Sequence, residues 1–154
     1  MYCRHLKAME TTVEEQIAIT PSLCEAVARL MPQLSAHRCA PSAGLLRRLC
    51  ASPTAALLVA RQDGRIVGML TLAWYDAPSG RKAWIEDVVV DAAARGSGAG
   101  EALVRAALER ARREEADCVM LTSSAARTAA RSLYRKEGFV EVETSVFTLK
   151  REKI

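Results

Sequence analysis

The chain has 154 residues, which is the length of one ordinary domain and too short for two independent cores. Half of the residues are hydrophobic and 26% are charged, a globular balance that excludes disordered and collagen-like chains. The net charge of +4 favours anionic ligands, but aromatic residues make up only 5% of the chain, which argues against bases stacking on a sheet. We therefore expect a single globular domain with no nucleic-acid partner.

The sequence also bears on location and on metal binding. Apolar runs such as 55–60 stop at strand length, below the roughly 18–20 residues of a membrane span, so we expect no membrane association. The basic N-terminus has no apolar stretch behind it and does not resemble a secretory signal. The five cysteines are scattered without Cys-x-x-Cys spacing, which indicates reduced thiols in a cytoplasmic protein. His37 and Cys39 lie two residues apart, but no second ligand pair follows, so we expect no metal.

The first half of the chain combines two early helices with antiparallel β-type runs. Thr20 and Pro21 are an N-cap and a proline at the first helical position, whereas Pro32 threatens the end of the same helix. Asp63-Gly64, between two apolar runs, is a strong hairpin signal. In chain order, we predict an N-terminal extension (1–12), an extended segment (13–19), a helix beginning at 20–21, a shorter helix (42–50), two hairpin strands (55–61 and 65–72) and an apolar strand (83–90).

The second half alternates helices with strands, and the domain is predicted to run from 13 to 154. Its predicted elements are an amphipathic helix (100–115), a short β run (118–122), a helix (127–136) ended by Gly138, and a closing hairpin (140–143 and 146–150). The complete order, β-α-α-β-β-β-α-β-α-β-β, predicts the α/β (α+β) class. We expect a mixed, mostly antiparallel central sheet of about six to seven strands flanked by about four helices.

The most informative segment is the turn between the apolar strand and the amphipathic helix. Gly96, Gly98 and Gly100 lead directly into that helix, which exposes backbone N–H groups at a helix N-terminus where a phosphate or pyrophosphate binds. Arg95 adds a fixed positive charge beside them. A P-loop is excluded because no lysine follows Gly100, and a dinucleotide fingerprint because Glu101 stands where its third glycine would be. The alternative interpretation is a flexible connection followed by an ordinary helix start.

Two segments resemble one family. Arg95-Gly96-Ser97-Gly98-Ala99-Gly100, after a valine-rich strand, resembles the acetyl-CoA signature of the GNAT superfamily of acetyl-CoA-dependent N-acetyltransferases. Residues 129–139, which end in Leu-Tyr-x-x-x-Gly-Phe, are similar to the late helix of that family. The resemblance covers nearly all of 13–150 and implies a GNAT-like fold. It also implies direct transfer of the acetyl group of acetyl-CoA, the co-substrate, onto a primary amine in a ternary complex.

The resemblance assigns most of the cofactor site. In the family, the pyrophosphate of CoA lies on the amides of the glycine turn, and the pantetheine arm pairs with the preceding strand, whose last N–H, here that of Val90, stabilises the oxyanion. Many relatives carry an asparagine one turn before the late tyrosine; here Arg131 stands there, so Ser123, Ser124 and Arg127 are candidates to substitute in contacting CoA. The implied cofactor-binding residues are Val88, Val89, Val90, Arg95, Gly96, Ser97, Gly98, Ala99, Gly100, Glu101, Ser123, Arg127, Arg131 and Tyr134.

Two residues are candidate catalytic groups. Tyr134 matches the family tyrosine that protonates the leaving thiolate, and a phenol of pKa about 10 can donate to a developing thiolate of pKa about 8.5. Its alternative role is that of a core tyrosine. Glu86 stands inside an apolar strand, which is costly without a partner or a task, and strand alternation predicts that it shares a face with Val88 and Val90. Glu86 is therefore the candidate base, acting directly or through water; its alternative role is a salt-bridged structural carboxylate.

The acceptor and the assembly are open at this stage. The segments that build the family's acceptor pocket, here 23–50 and 141–146, carry no recognisable motif. The resemblance therefore implies a small-molecule or peptide amine as the acceptor, and the choice between a small molecule, a peptide N-terminus and a lysine stays open. A catalytically weak acyl-CoA-binding regulatory module is the alternative function. It is suggested by Arg131 in place of the usual asparagine and by the lack of a recognisable acceptor pocket. The resemblance to the family implies a homodimer, with the exposed edge of the last hairpin as a contact.

Overall fold

A computed structural model describes residues 10–151 of the chain. Most of the predicted N-terminal extension, residues 1–9, and Cys3 with it, lies outside the described residues. The elements in chain order are β1 (Thr11–Gln16), α1 (Pro21–Leu34), α2 (Ala43–Cys50), β2 (Ala55–Gln62), β3 (Arg65–Ala77), β4 (Gly80–Val90), a single 3-10 turn (Ala92–Ala94), α3 (Ala99–Arg113), β5 (Cys118–Leu121) and α4 (Thr128–Lys136).

The strands form one sheet in the order β1-β2-β3-β4-β5. The first four strands pair antiparallel, whereas β5 runs parallel to β4 because α3 crosses over between them. Asp63 and Gly64 both have positive φ (47° and 77°), as a tight two-residue hairpin turn requires. The predicted α/β class, with a mixed and mostly antiparallel sheet and four helices, is confirmed.

Both faces of the sheet are covered, so the core lies in two layers. On one face α3 contributes Leu103 and Ala107, which pack with Leu70, Leu72 and Ile85 of the strands. On the other face α1 and α2 cover a second cluster, whose members include Leu23, Leu30, Val59, Met69 and Val89. Successive residues of β2, such as Leu58 and Val59, therefore point into different layers, as the period of two in a strand demands.

Two helical predictions have simple outcomes. α1 begins as predicted, since the Thr20 hydroxyl accepts the N–H of Leu23 at 3.1 Å and Pro21 occupies the first turn. Pro32 lies inside α1, which continues two residues beyond it to Leu34. Among residues 10–151, no helix is long and apolar enough to span a bilayer.

The predicted strand count of about six to seven is too high, because the described residues form five strands. The predicted closing hairpin (140–143 and 146–150) has no regular secondary structure. Alternation determines which side chains would share a face, but a strand also needs hydrogen-bonding partners, and no strand of the described sheet pairs with this segment. Arg131 and Arg135 of α4 instead bind Glu141, in the middle of the first predicted strand.

Candidate functional site

The parallel strands β4 and β5 separate and leave an open backbone edge. Their pairing ends at Ile85 and Leu121, so the rest of β4 has no strand neighbour on this side. The N–H of Asp91 donates to Val67 of β3 at 2.7 Å, so ladder alternation turns the N–H of Val90 into the gap. The Val88 carbonyl also faces the gap, since it accepts a 2.9 Å hydrogen bond from Arg127 Nη2. Such an edge can pair with an extended ligand.

A β-bulge precedes this open edge. Met69 pairs with Val89 and Thr71 with Glu86, so β4 has one extra residue, and Asp87 has a positive φ of 52°, uncommon for a residue other than glycine. Val88 and Val90 pack against the same cluster as Ile85, whereas Glu86, one position after Ile85, lies on the opposite face. The prediction that Glu86 shares a face with Val88 and Val90 is therefore wrong, because the bulge reverses the alternation. Glu86 is exposed on the α1 face of the sheet.

The glycine turn presents bare amides. Gly96 and Gly98 have φ values of 75° and 87°, the left-handed region that glycine adopts without strain. Gly98 is the N-cap of α3 and no side chain caps this helix end, so the N–H groups of 99–101 have no intrahelical partner. Ala102 makes the first helical bond, to the carbonyl of Gly98 at 3.0 Å. Unpaired N–H groups and the helix dipole together favour an anion at this point.

The open edge and the glycine turn line one groove of about 410 Å³. The groove-lining residues that the sequence predicted are Val88, Val89, Val90, Arg95, Gly96, Gly98, Ala99, Gly100, Arg127 and Tyr134. The remaining lining residues come from the end of α1, the 3-10 turn, α4 and the residues just before α4. Of these, Ala129, Ala130 and Leu133 lie in the late-helix segment that resembles the family, but none of the remaining residues was predicted as a site residue: Gln33, Leu34, Ala94, Ala126, Thr128, Ala129, Ala130 and Leu133.

Two predicted residues of the glycine turn have their side chains occupied elsewhere. The Ser97 hydroxyl donates to the carbonyl of Ala94 at 2.5 Å and accepts from Gln62 Nε2 at 2.8 Å, so it braces the turn. The Glu101 carboxylate binds Lys136 at 2.6 Å and Arg105 at 2.7 Å. The N–H of Ser97 also donates to the carbonyl of Ala94, at 3.3 Å, so of these two residues only Glu101 has a free backbone N–H for a ligand.

Three further predicted residues lie outside the groove lining. Arg131 binds Glu141, which directs its guanidinium along α4. The hydroxyl of Ser123, two residues after β5, is buried without a hydrogen-bond partner among the described residues. Glu86 is likewise not part of the lining. No group of three or more metal-ligating side chains occurs among residues 10–151.

Tyr134 lies between the core and the groove. Its side chain lines the groove although the residue is only 5% exposed. Its ring meets Phe139 edge to face at 5.9 Å between centroids. Burial raises the pKa of the Tyr134 phenol above its usual value, and the positive charge of Arg127 offsets part of that rise. The phenol is therefore protonated at neutral pH, beside the groove that the residue lines.

Comparisons with known proteins agree with this geometry. The profile of the acetyltransferase (GNAT) family matches residues 22–139. A provisionally assigned acetyltransferase from Agrobacterium tumefaciens str. C58 is similar in structure, with a TM-score of 0.79 and 25% identity over 90% of this chain and 99% of that chain. A transcriptional regulator from Bacillus halodurans C-125 has a TM-score of 0.78 and 25% identity over 92% of this chain and 99% of that one.

A third similar structure is an aminoglycoside acetyltransferase from an uncultured soil metagenomic sample, in complex with trehalose. It has a TM-score of 0.75 and 21% identity over 91% of this chain and 97% of that chain. No curated protein sequence matches the chain significantly. The family profile spans more than half of the chain, including the open edge of β4, the glycine turn and Tyr134. The chain belongs to the GNAT family of acetyltransferases and is an acyltransferase.

Proposed function

We propose that this protein is an N-acetyltransferase that moves the acetyl group of acetyl-CoA onto a primary amine by direct transfer in a ternary complex. One observation carries the proposal: the bare amides of the glycine turn, the open edge of β4 and the Tyr134 phenol all line a single groove. A ligand that reaches all three must combine an anion with an extended arm that has a reactive end.

Acetyl-CoA fits these requirements. Its pyrophosphate suits the unpaired N–H groups at the start of α3, with the exposed Arg95 beside them. Its pantetheine arm carries amides that suit the N–H of Val90, which points into the gap, and the carbonyl of Val88, where the arm would replace the hydrogen bond from Arg127. When bound, the thioester supplies an electrophilic carbonyl and a thiolate leaving group.

In the proposed reaction, three groups of this chain act on protons and charge. The N–H of Val90 stabilises the negative charge that develops on the carbonyl oxygen. Tyr134, whose raised pKa keeps the phenol protonated, donates its phenolic proton to the departing sulfur. Glu86 accepts the proton of the attacking amine. Its exposed carboxylate lies on the other face of the sheet from Val88, so the proton reaches it through water.

The first experiment compares the thermal shift produced by acetyl-CoA with those of CoA and a dinucleotide. A stabilisation specific to the CoA species supports the cofactor assignment, because ligand binding raises the free energy of unfolding. A panel of amines, with thiol release as the readout, then follows; it includes peptides, small amines and aminoglycosides, since one similar structure is an aminoglycoside acetyltransferase. Binding without thiol release from any amine favours the regulatory module instead. The absence of any shift at millimolar ligand contradicts the proposal.

The proposal extends to the location and the assembly. Cys24, Cys39, Cys50 and Cys118 are free thiols, which is typical of a reducing compartment such as the cytoplasm. A homodimer is supported by the side of β5 that faces away from β4, which no described strand covers, and by the exposed apolar side chains that follow α4. One domain from 13 to 154 remains part of the proposal.

A further inference from the structure

Two side chains of α1 contact the short segment that joins β4 to the glycine turn. Gln33 Oε1 accepts the N–H of Ala92 at 2.8 Å. Arg29 Nε donates to Asp91 Oδ2 at 3.0 Å, and its Nη2 donates to the carbonyl of Ile66 at 2.5 Å. Gln33 lines the groove, whereas Arg29 does not. The two residues lie one helical turn apart, and Gln33 Nε2 also donates to the Arg29 carbonyl at 3.3 Å.

Asp91 is the partner of Arg29 in this segment. It is 8% exposed and connects β4 to the 3-10 turn. Its carboxylate accepts the N–H of Ala93 at 3.1 Å, and its carbonyl accepts the N–H of Ala94 at 2.8 Å. Arg65 lies 3.7 Å from the same carboxylate but is largely exposed. Among side chains, Arg29 is therefore the main partner of the Asp91 carboxylate.

The glycine turn itself has few other constraints. A Cβ added at Gly96 or Gly98 would meet no atom within 4 Å, so the space beside these two residues is open. The bare amides of 99–101 are held from the helix side by Ala99, which is buried in the core, and by the ion pair of Glu101 with Lys136. The other side of the turn depends on the Ser97 hydroxyl and on the residues that precede it. Those residues are fixed by Asp91 and by Gln33.

We infer that Arg29 and Gln33 are positioning residues for the pyrophosphate of acetyl-CoA. They act through Asp91 and Ala92, which hold the amides of 96–101 in place before the ligand binds. The inference rests on the proposed function and deepens it, since it assigns to α1 a role in binding the nucleotide end of the co-substrate. A preformed site avoids the cost of ordering the turn on binding.

The test compares two ligands that differ in the pyrophosphate. Calorimetry with acetyl-CoA and with acetyl-pantetheine, which lacks the pyrophosphate and the nucleotide, is carried out on the wild type, Gln33→Ala and Arg29→Met. We expect both variants to raise the Kd for acetyl-CoA by about five- to tenfold, the effect of about one hydrogen bond, and to leave the Kd for acetyl-pantetheine within about twofold. Arg29→Lys should recover part of the loss. Arg112→Met, on the exposed end of α3, is the control and should change neither Kd.

A second measurement needs no ligand. Hydrogen exchange at 92–101 should accelerate in Gln33→Ala and in Arg29→Met, but not in Arg112→Met. Unchanged acetyl-CoA binding in both variants, or unchanged exchange, overturns the inference. Equal losses for the two ligands overturn it as well, because they indicate general damage to the fold. A wild type that does not bind acetyl-CoA overturns the proposed function instead. Arg29→Lys decides the contribution of Arg29 if Arg29→Met does not fold.

Discussion

At the scale of single residues, Tyr134 shows how one side chain serves both packing and chemistry. Its ring is buried against Phe139, yet the same side chain lines the groove. The alternatives of a core tyrosine and a general acid are therefore compatible. The burial that stabilises the ring also raises the pKa of the phenol, so the phenol keeps the proton that a general acid needs.

We expect Tyr134→Phe to lower kcat by at least about tenfold with little change in the Kd for acetyl-CoA, because the substitution removes the proton donor and keeps the ring. The measurement is steady-state thiol release with the best amine, together with calorimetry. In the wild type, the contribution of the acid should persist to alkaline pH, because the phenol ionises only above its ordinary pKa. Tyr75→Phe, at a half-exposed tyrosine of β3, is the control. An unchanged rate removes Tyr134 from the mechanism.

Glu86 has a different environment. Among residues 10–151 its exposed carboxylate forms no salt bridge. A structural role would require a partner, so we expect Glu86→Gln to lower kcat, with an unchanged Tm and an unchanged Kd for acetyl-CoA. Glu109→Gln on α3 is the matched control. A fall in Tm with an intact rate would instead assign Glu86 to the structure.

The sequence predicts the residues of the site that lie in contiguous motifs and misses those that only the fold brings together. The glycine turn and Tyr134 are visible because a turn and a helix each place several groups within a short stretch of chain. Gln33 is not visible, because it meets Ala92 across 59 positions of sequence. Arg131 is the opposite case. Its position in the motif predicted a contact with CoA, but in the fold its guanidinium binds Glu141.

At the scale of elements, the connection from β4 to α3 depends on a buried carboxylate. Hydrogen bonding from the N–H of Ala93 and then from Arg29 holds the pKa of Asp91 below its usual value. A lowered folded-state pKa means that the ionised form stabilises the native protein above the unfolded pKa, and that this contribution is lost as the pH falls through the folded pKa.

We therefore expect Asp91→Asn to reduce the free energy of unfolding at pH 7 by about 1–3 kcal/mol, because it removes one partner of charge-assisted hydrogen bonds. The difference from the wild type should begin to shrink as the pH falls below about 4, where the carboxylate of the unfolded wild type becomes protonated, and should be lost as the pH falls through the lower pKa of the folded state. Urea unfolding at several pH values measures it. A difference that is constant with pH would assign the loss to packing. Asp76→Asn, in the exposed pair with Arg81, is the control.

The glycine turn allows a matched pair of substitutions. Gly98 has a φ of 87°, so Gly98→Ala should lower the free energy of unfolding by about 1 kcal/mol and weaken acetyl-CoA binding, because the turn must distort. Gly44 lies inside α2 with room for a methyl group, so Gly44→Ala should raise the free energy of unfolding by about 0.5–1 kcal/mol and leave binding unchanged. Chemical unfolding and calorimetry measure both. Equal effects of the two substitutions would contradict the assignment of the turn.

Element order is easier to predict than register. Local signals, such as the N-cap Thr20 and the hairpin turn Asp63-Gly64, determine where elements begin and reverse. The bulge at Asp87 has no local signal, because it arises from how β3 pairs with β4, and it reversed the predicted face of Glu86. A period of two along a strand holds only while the pairing is regular.

At the scale of the whole molecule, the sheet ends at β5 and the chain beyond α4 leaves its apolar side chains in solvent. Val140, Val142 and Phe147 are 83%, 70% and 93% exposed. The alternation that predicted a closing hairpin is present, but within one chain the described residues give it no partner strand. Exposed apolar side chains beside an unpaired strand edge are typical of an interface, which is why the proposed homodimer is placed here.

We expect the full chain to be a dimer at micromolar concentration and Val142→Lys/Phe147→Lys to be a folded monomer, because these side chains contribute nothing to the described core. Light scattering coupled to size exclusion measures the mass. The control is Leu45→Lys, at a half-exposed leucine of α2, which should remain dimeric. A wild type that is monomeric at every concentration contradicts the homodimer. A dimer that survives the double substitution moves its interface to another surface, and the exposed segment after α4 would then be a feature of the single chain.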